Sequence, residues 1–494
     1  MKRKNKNITL SAFATFYIGI PTRLTSLPYV ITLLQSLSVI NMQAQEVVKT
    51  LSQEQVIAIV KKYHPVAKQA EIFIQKAKAD VTTAQSGFDP LLYNSYAQKT
   101  FDGTQYYTYN QPSLIIPTWF GVEVSAGLEY LSGSRTNPEE TQGRTSYIGI
   151  SIPLAKNLLL DKRRAALQTA KIYQQASSIE KKNMLNNLLL ETTKAYWYWV
   201  QYYQVYQILN EAVIVNEKRA GLIKTAFRLG DRPAIDTTEA LTQLQSFQVM
   251  RDAAFLNFQN AGLALAVHLW TENNQPASLP EDVIPADVLQ LHNAAKAPLP
   301  VLTELLEVAR KNHPALLLYN YKLDALSIEK KLKFQNLLPT ANFKYNQLGK
   351  GYNLAKTVGT GPLFENNFQY GISLGIPLRL SEGRGEYQKA KLKITETKLD
   401  QNLKLVEVEN KIKSYFNELS NLKGQITIQE QAWKNYMTLQ KGEEIRFQGG
   451  ESSLFLINAR ENKALESLQK LQELRAKYLI AATSLQWAAG NLFN

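Results

Sequence analysis

The sequence predicts a mainly helical chain with a smaller β part suited to a membrane, built as two copies of one unit. Three observations predict it. First, matching residues recur at a fixed separation: Gln168-Thr169-Ala170-Lys171 and Gln388-Lys389-Ala390-Lys391 lie 220 residues apart, as do the pairs Phe227/Phe447 and Gly230/Gly450. Second, each copy holds a very long stretch without proline, Asp161 to Phe227 and Glu386 to Phe447. Third, short segments ahead of those stretches alternate apolar with small or polar residues, the period of a strand with two unlike faces.

Composition narrows the chemistry. The 494 residues include no cysteine, which excludes disulfide frameworks, thiol catalysis and Cys-based metal sites. The four histidines, His64, His268, His292 and His313, fall at no HxxxH or HxxEH spacing, so nothing supports a zinc enzyme. No catalytic constellation stands at motif spacing, and no cofactor is called for. The net charge of +14 falls to +9 beyond residue 44. The remaining Lys and Arg are interspersed with Glu and Asp along helical patterns, which reads as solvated helix faces rather than a nucleic-acid surface.

Residues 1–44 read as a signal peptide. Lys2 to Lys6 make a cationic start, and two apolar stretches follow, Ile8–Ile20 and Leu27–Ile40, separated by Pro21-Thr22-Arg23. No later segment has 18 consecutive apolar residues, so any membrane span of the mature chain is made of strands.

The first repeat occupies 45–270, a Pro-rich polar linker 271–300, and the second repeat 301–494. Each opens with a short amphipathic segment, Leu51–Lys62 or Val301–Lys311, that runs into a His-Pro pair, His64-Pro65 or His313-Pro314. Both histidines read as structural residues of a helix junction. The long stretches read as helices over 161–227 and 385–447, each about 100 Å at 1.5 Å per residue, with Asp161 as an N-cap. Phe227-Arg228-Leu229-Gly230 and Phe447-Gln448-Gly449-Gly450 place glycine where a helix ends in a left-handed residue. Return helices over 234–270 and 452–490 keep 3–4 spacing of Ala240, Leu244, Phe247 and Ala254, and of Ala464, Leu468, Leu471 and Tyr478. They reach only half the length of their partners. Pro65–Gln85 and Pro314–Gln335 have the length and period to cover the other half.

Strands are expected at about 91–154 and 340–378. Val122, Val124, Ala126, Leu128 and Tyr130 form one face of the first, and Ile148, Ile150, Ile152 and Leu154 one face of the second. In the second copy Tyr370, Ile372, Leu374 and Ile376 alternate with small residues, and Phe343 and Tyr345 begin another strand. This gives four strands per chain. Four cannot close a membrane barrel, for which about eight is the minimum, so the working unit is an oligomer. The first copy carries about 25 extra residues within 91–120, which read either as an added hairpin or as a longer excursion. The run Tyr196-Trp197-Tyr198-Trp199 circles a helix and reads as packing between helices rather than a stacking platform.

Short helix, His-Pro, helix, strand pair ending in IPL, long helix, Phe-x-x-Gly tip and half-length helix, all given twice, resembles the TolC-like outer-membrane efflux proteins. GDRPAID (Gly230–Asp236) and GESSLFLINARENK (Gly450–Lys463) look like the tips of Bacteroidetes-type members. The resemblance runs from Leu51 to Gly490. It implies a TolC-like fold: a homotrimer whose chains share a 12-stranded β-barrel in outer-membrane lipid and a tunnel of 12 helical staves through the periplasm. It also implies an exit duct for efflux or type I secretion, docked by its tips on a periplasmic adaptor (membrane fusion) protein and an inner-membrane transporter. The adaptor-facing tips would be Phe227, Gly230, Asp231, Arg232, Phe447, Gly450, Glu451 and Ser452. Many relatives carry two acids in the second tip that form a constriction ring. Here those places hold Phe455 and Asn458, and the equivalent places in the first copy hold Asp236 and Glu239. The two acids read either as helix N-terminal charges favoured by the macrodipole or as a gate. The competing reading of the whole chain is a periplasmic or cytosolic coiled-coil scaffold that binds nucleic acid through its basic charge.

Overall fold

The computed structural model describes residues 49–136, 140–280, 282–359 and 362–492; the expected signal peptide lies outside them. A two-residue strand β1 (Thr50–Leu51) leads into α1 (Gln53–Tyr63), which opens with a capping box between Ser52 and Gln55. His64 ends α1 and starts α2 (Pro65–Gln85): its Nδ1 accepts from the Val66 N–H at 3.1 Å, and Pro65 supplies a preset φ at the first helical position. Four strands follow, β2 (Leu91–Phe101), β3 (Thr104–Pro117), β4 (Glu123–Ser132) and β5 (Gly143–Pro153). Then come α3 (Lys162–Arg228), capped by Asp161, and α4 (Ala234–Ala266). The linker holds β6 (Ile284–Pro285) and α5 (Val288–His292). The second copy gives α6 (Leu302–Asn312), α7 (Pro314–Phe334), β7 (Thr340–Lys350), α8 (Leu354–Val358), β8 (Phe368–Gly375), α9 (Ser381–Gln448) and α10 (Leu454–Ala488).

The duplication extends to length. α1 and α6 have 11 residues each, α2 and α7 have 21 each, and the long helices have 67 and 68. His313 repeats the role of His64, its Nδ1 accepting from Ala315 N–H at 3.2 Å.

The half-length return helices are completed as expected. α4 packs on α3 through Ala240, Phe247, Ala254 and Ala261, a seven-residue row of buried side chains, and α10 packs on α9 through Ala464, Leu471, Tyr478 and Leu485. α2 and α7 cover the strand-side halves of α3 and α9. Their joints with the return helices are tight: the His64 ring stacks on His268 at 6.0 Å, and Gly490 lies against Pro314 and His313. Because α3 also touches α7 and α10, the helices form a wall four staves wide in the order α2/α4, α3, α7/α10, α9.

A belt of buried residues braces the middle. Tyr196, Trp197 and Trp199 are fully buried with Val56 and Val60 of α1, Phe258 of α4 and Leu291 of α5. The Tyr196 hydroxyl lies 2.8 Å from Asp287 Oδ2, and burial beside that carboxylate pushes its pKa up. The same carboxylate accepts from Gln53 N–H at 2.7 Å, and β1 pairs in parallel with β6, so the linker is tied to the start of the first copy. Three residues of the aromatic run are packing, as expected; Tyr198 is exposed.

One expectation is corrected. Among the described residues six strands, not four, form one antiparallel sheet, in the order β2-β3-β4-β5-β7-β8. The extra residues form the hairpin β2–β3, closed by Asp102 and Gly103, both at positive φ as a two-residue hairpin turn requires. Its strands were obscured in the sequence because Tyr, Asn, Gln and Thr dominate them and Pro112 interrupts the pattern. A 12-stranded barrel from three chains presupposed four strands each, and so does not follow from this sheet.

Candidate channel wall and tip

Strand pairing sorts the sheet into two faces. One face carries Leu92, Leu114, Ile116, Val124, Ala126, Ile148, Ile150, Phe343, Tyr345, Tyr370, Ile372 and Leu374. The other carries Glu123, Ser125, Gly127, Glu129, Ser151, Lys344, Asn346, Gln369 and Ser373. The polar face is cross-linked: Gln111 Nε2 donates to Glu129 at 2.7 Å, and Thr145 Oγ1 donates to its other oxygen at 3.3 Å. The Tyr147 ring lies over Gly127, where a Cβ would meet ring atoms at 2.5 Å. Among the described residues no helix is long and apolar enough to cross a membrane. The sheet has one mainly apolar face and one mainly polar face.

At the far end of the long helices, about 100 Å from the strands, the two tips repeat one geometry. Gly230 (φ 86°) and Gly450 (φ 76°) let the chain reverse. Asp231 N–H bonds Ala226 O at 2.9 Å, and Glu451 N–H bonds Arg446 O at 2.9 Å. Each is the six-to-one bond of a Schellman cap. The tips are also joined: the Arg232 guanidinium sits over the Phe447 ring at 4.0 Å and donates to the Phe447 carbonyl at 3.4 Å. Ser452 donates to Glu443, a buried carboxylate that Arg446 and Arg460 flank at 3.9 and 3.8 Å. Phe227 is left exposed.

The four constriction candidates divide. Glu239 and Asn458 are brought together, Asn458 Nδ2 donating to Glu239 Oε1 at 3.3 Å, one turn from the equivalent pair Gln243–Asn462 at 2.8 Å. α4 and α10 therefore touch through matching positions of the two copies. Asp236 faces Arg232 of its own tip at 3.9 Å. Phe455 is an exposed apolar residue of the second tip, at 66%, in the company of Leu229, Ile235 and Ile445.

Sequence reasoning missed the strongest polar contact near the tip. Arg219 of α3 forms a fork on Glu461 of α10, with Nη1–Oε2 at 2.6 Å and Nη2–Oε1 at 3.3 Å. Asn216 Nδ2 donates to Glu461 at 3.2 Å, and Glu444 of α9 lies 4.0 Å from Arg219. The Glu461 residue is 4% exposed. The partners lie 242 residues apart, so no local pattern could have signalled the pair.

No protein-family model and no curated protein sequence matches the chain. Solved structures do. The Campylobacter jejuni CmeC outer membrane channel shares 15% identity over 90% of this chain and 86% of its own, with a TM-score of 0.61. The outer membrane protein VceC of Vibrio cholerae shares 14% identity over 90% of this chain and 97% of its own, at 0.61. The open state of the Neisseria gonorrhoeae MtrE outer membrane channel shares 12% identity over 89% of each chain, at 0.60. The chain has the TolC-like fold of these channel proteins.

Proposed function

We propose that this chain is the outer-membrane exit duct of a tripartite efflux or type I secretion system, acting as a homotrimer without enzymatic chemistry. One observation carries the reading: among the described residues, both edges of the sheet and both edges of the helical wall lack a partner. On α4, Val249, Leu256 and Leu263 are exposed at seven-residue spacing, each two positions after a residue of the buried seam. On α9, Leu392, Leu399 and Val406 are exposed at the same spacing, the first two again two positions after buried Ala390 and Thr397. Rows of this kind on both edges fit a head-to-tail ring of identical copies, in which the α4 row would face the tip-side half of the next α9 and the α9 row would face the next α2, where Ile72 and Phe73 are exposed. Three copies of four staves make the 12-stave tunnel that the family resemblance implies.

The sheet's apolar face would meet lipid, its polar face would line the lumen, and the tips would meet a periplasmic adaptor that leads to an inner-membrane transporter. A soluble scaffold has no use for a two-faced sheet whose apolar side leaves Leu92, Tyr370, Ile372 and Leu374 exposed, and this counts against the coiled-coil alternative. The test is fractionation and size. The mature protein is expected in the outer membrane, as a trimer in mild detergent. Cysteines placed at Asp231 or Glu451 should crosslink to an adaptor, with no background from the thiol-free chain. A soluble monomer, or tip cysteines that label from outside intact cells, would refute the reading.

A further inference from the structure

We infer that copies of this chain join through the added hairpin: β2 of one copy pairs with β8 of the next, so three copies close an 18-stranded barrel, six strands from each. The inference rests on the trimeric reading above.

Direction permits the seam. β2 leaves α2 and runs away from the helices, whereas β8 runs back into α9. Side by side in a ring the two are antiparallel, like every other pair in the sheet. Both edges otherwise leave a row of unpaired backbone groups, which lipid does not tolerate.

The stagger of the sheet permits closure. Along the hydrogen-bonding direction runs the row Leu92, Leu114, Ala126, Ile148, Gln347 and Phe368. It starts one residue from the helix-side end of β2 and finishes seven residues from the helix-side end of β8. The sheet is thus sheared by six residues per copy. Six residues make about 20 Å along the strands against about 29 Å across six strand spacings. The tilt is therefore roughly 35°, within the range of membrane barrels.

The side chains permit it too. With the helix-side ends flush, Leu92 meets Leu374 and Tyr96 meets Tyr370 on the apolar face. These four are 78%, 76%, 62% and 58% exposed in the single chain. On the polar face Tyr93 meets Ser373 and Ser95 meets Gly371.

Width decides between six and four strands per copy. Six tilted strands span an arc of about 35 Å, close to the 36–40 Å of four helices at about 9–10 Å spacing. Four strands would span only about 23 Å, and the wall would have to narrow sharply at the membrane. The barrel backbone is then about 34 Å across rather than about 22 Å.

The test is oxidative crosslinking of double-cysteine variants in outer membranes. Ser95→Cys with Gly371→Cys should yield covalent dimers and trimers on denaturing gels; a Cβ at Gly371 meets no atom within 4 Å. Ser125→Cys with Ser373→Cys should stay monomeric, because β3 and β2 stand between β4 and the seam. Crosslinking through the second pair instead of the first would place the hairpin outside the ring and overturn the inference. A ladder that stops at dimers would mean two copies close 12 strands, and would overturn it as well. If neither pair crosslinks, the seam is wrong; the native size of unoxidised protein then tells whether the trimer stands without it.

Discussion

The Arg219–Glu461 fork ties the first copy to the second near the tips, so its removal should loosen that region selectively. Arg219→Met keeps most of the side-chain volume and strips Glu461 of its countercharge, leaving Asn216 as its remaining close donor. Breaking one partner of a buried pair costs about 3–5 kcal/mol. The Arg219 side chain is 17% exposed, so water offsets part of this and about 2–3 kcal/mol is the better figure. That corresponds to a population of the locally open state on the order of 50-fold larger. Hydrogen exchange followed by mass spectrometry reads it directly. Peptides from the last turns of α3 and the first turns of α10 should exchange faster, while the Tyr196 belt should not change. Arg219→Met with Glu461→Met should recover most of the protection, since no charge is then left buried alone. Unchanged exchange in the single variant, or greater loosening in the double variant, would show that the fork does not hold the two hairpins together.

Two further outcomes are expected. Asp236→Asn with Glu239→Gln should lower cation selectivity and divalent block in single-channel recordings while leaving the trimer intact; Glu239→Gln alone should account for most of it, because Arg232 already faces Asp236. An unchanged reversal potential would assign the constriction to Phe455. Burial, with Lys404 and Lys411 nearby, lowers the His313 pKa from 6.5 to about 4. The folded state disfavours the proton, so this contribution is complete above pH 6.5 and is lost as pH falls to about 4, at a cost of about 3 kcal/mol. Unfolding followed between pH 8 and pH 4 should lose part of its pH dependence in His313→Asn, which keeps a capping acceptor but does not titrate.

Local chemistry was legible in the sequence. The His-Pro corners, the Asp161 cap, the Gly230 and Gly450 stops and the seven-residue seams each follow from a few adjacent residues, and the structure has all of them. The duplication was legible because equal helix lengths hold the offset at 220 residues. Tertiary structure decided the rest. The β2–β3 hairpin has Tyr, Asn, Gln and Thr on both faces, so its alternation is weak, and only its register against β4 shows that it belongs to the sheet. Arg219 and Glu461, or Glu239 and Asn458, meet only because α3, α4 and α10 converge at one end. A strand count, and with it a pore width, is a property of pairing between segments, and periodicity within one segment does not carry it.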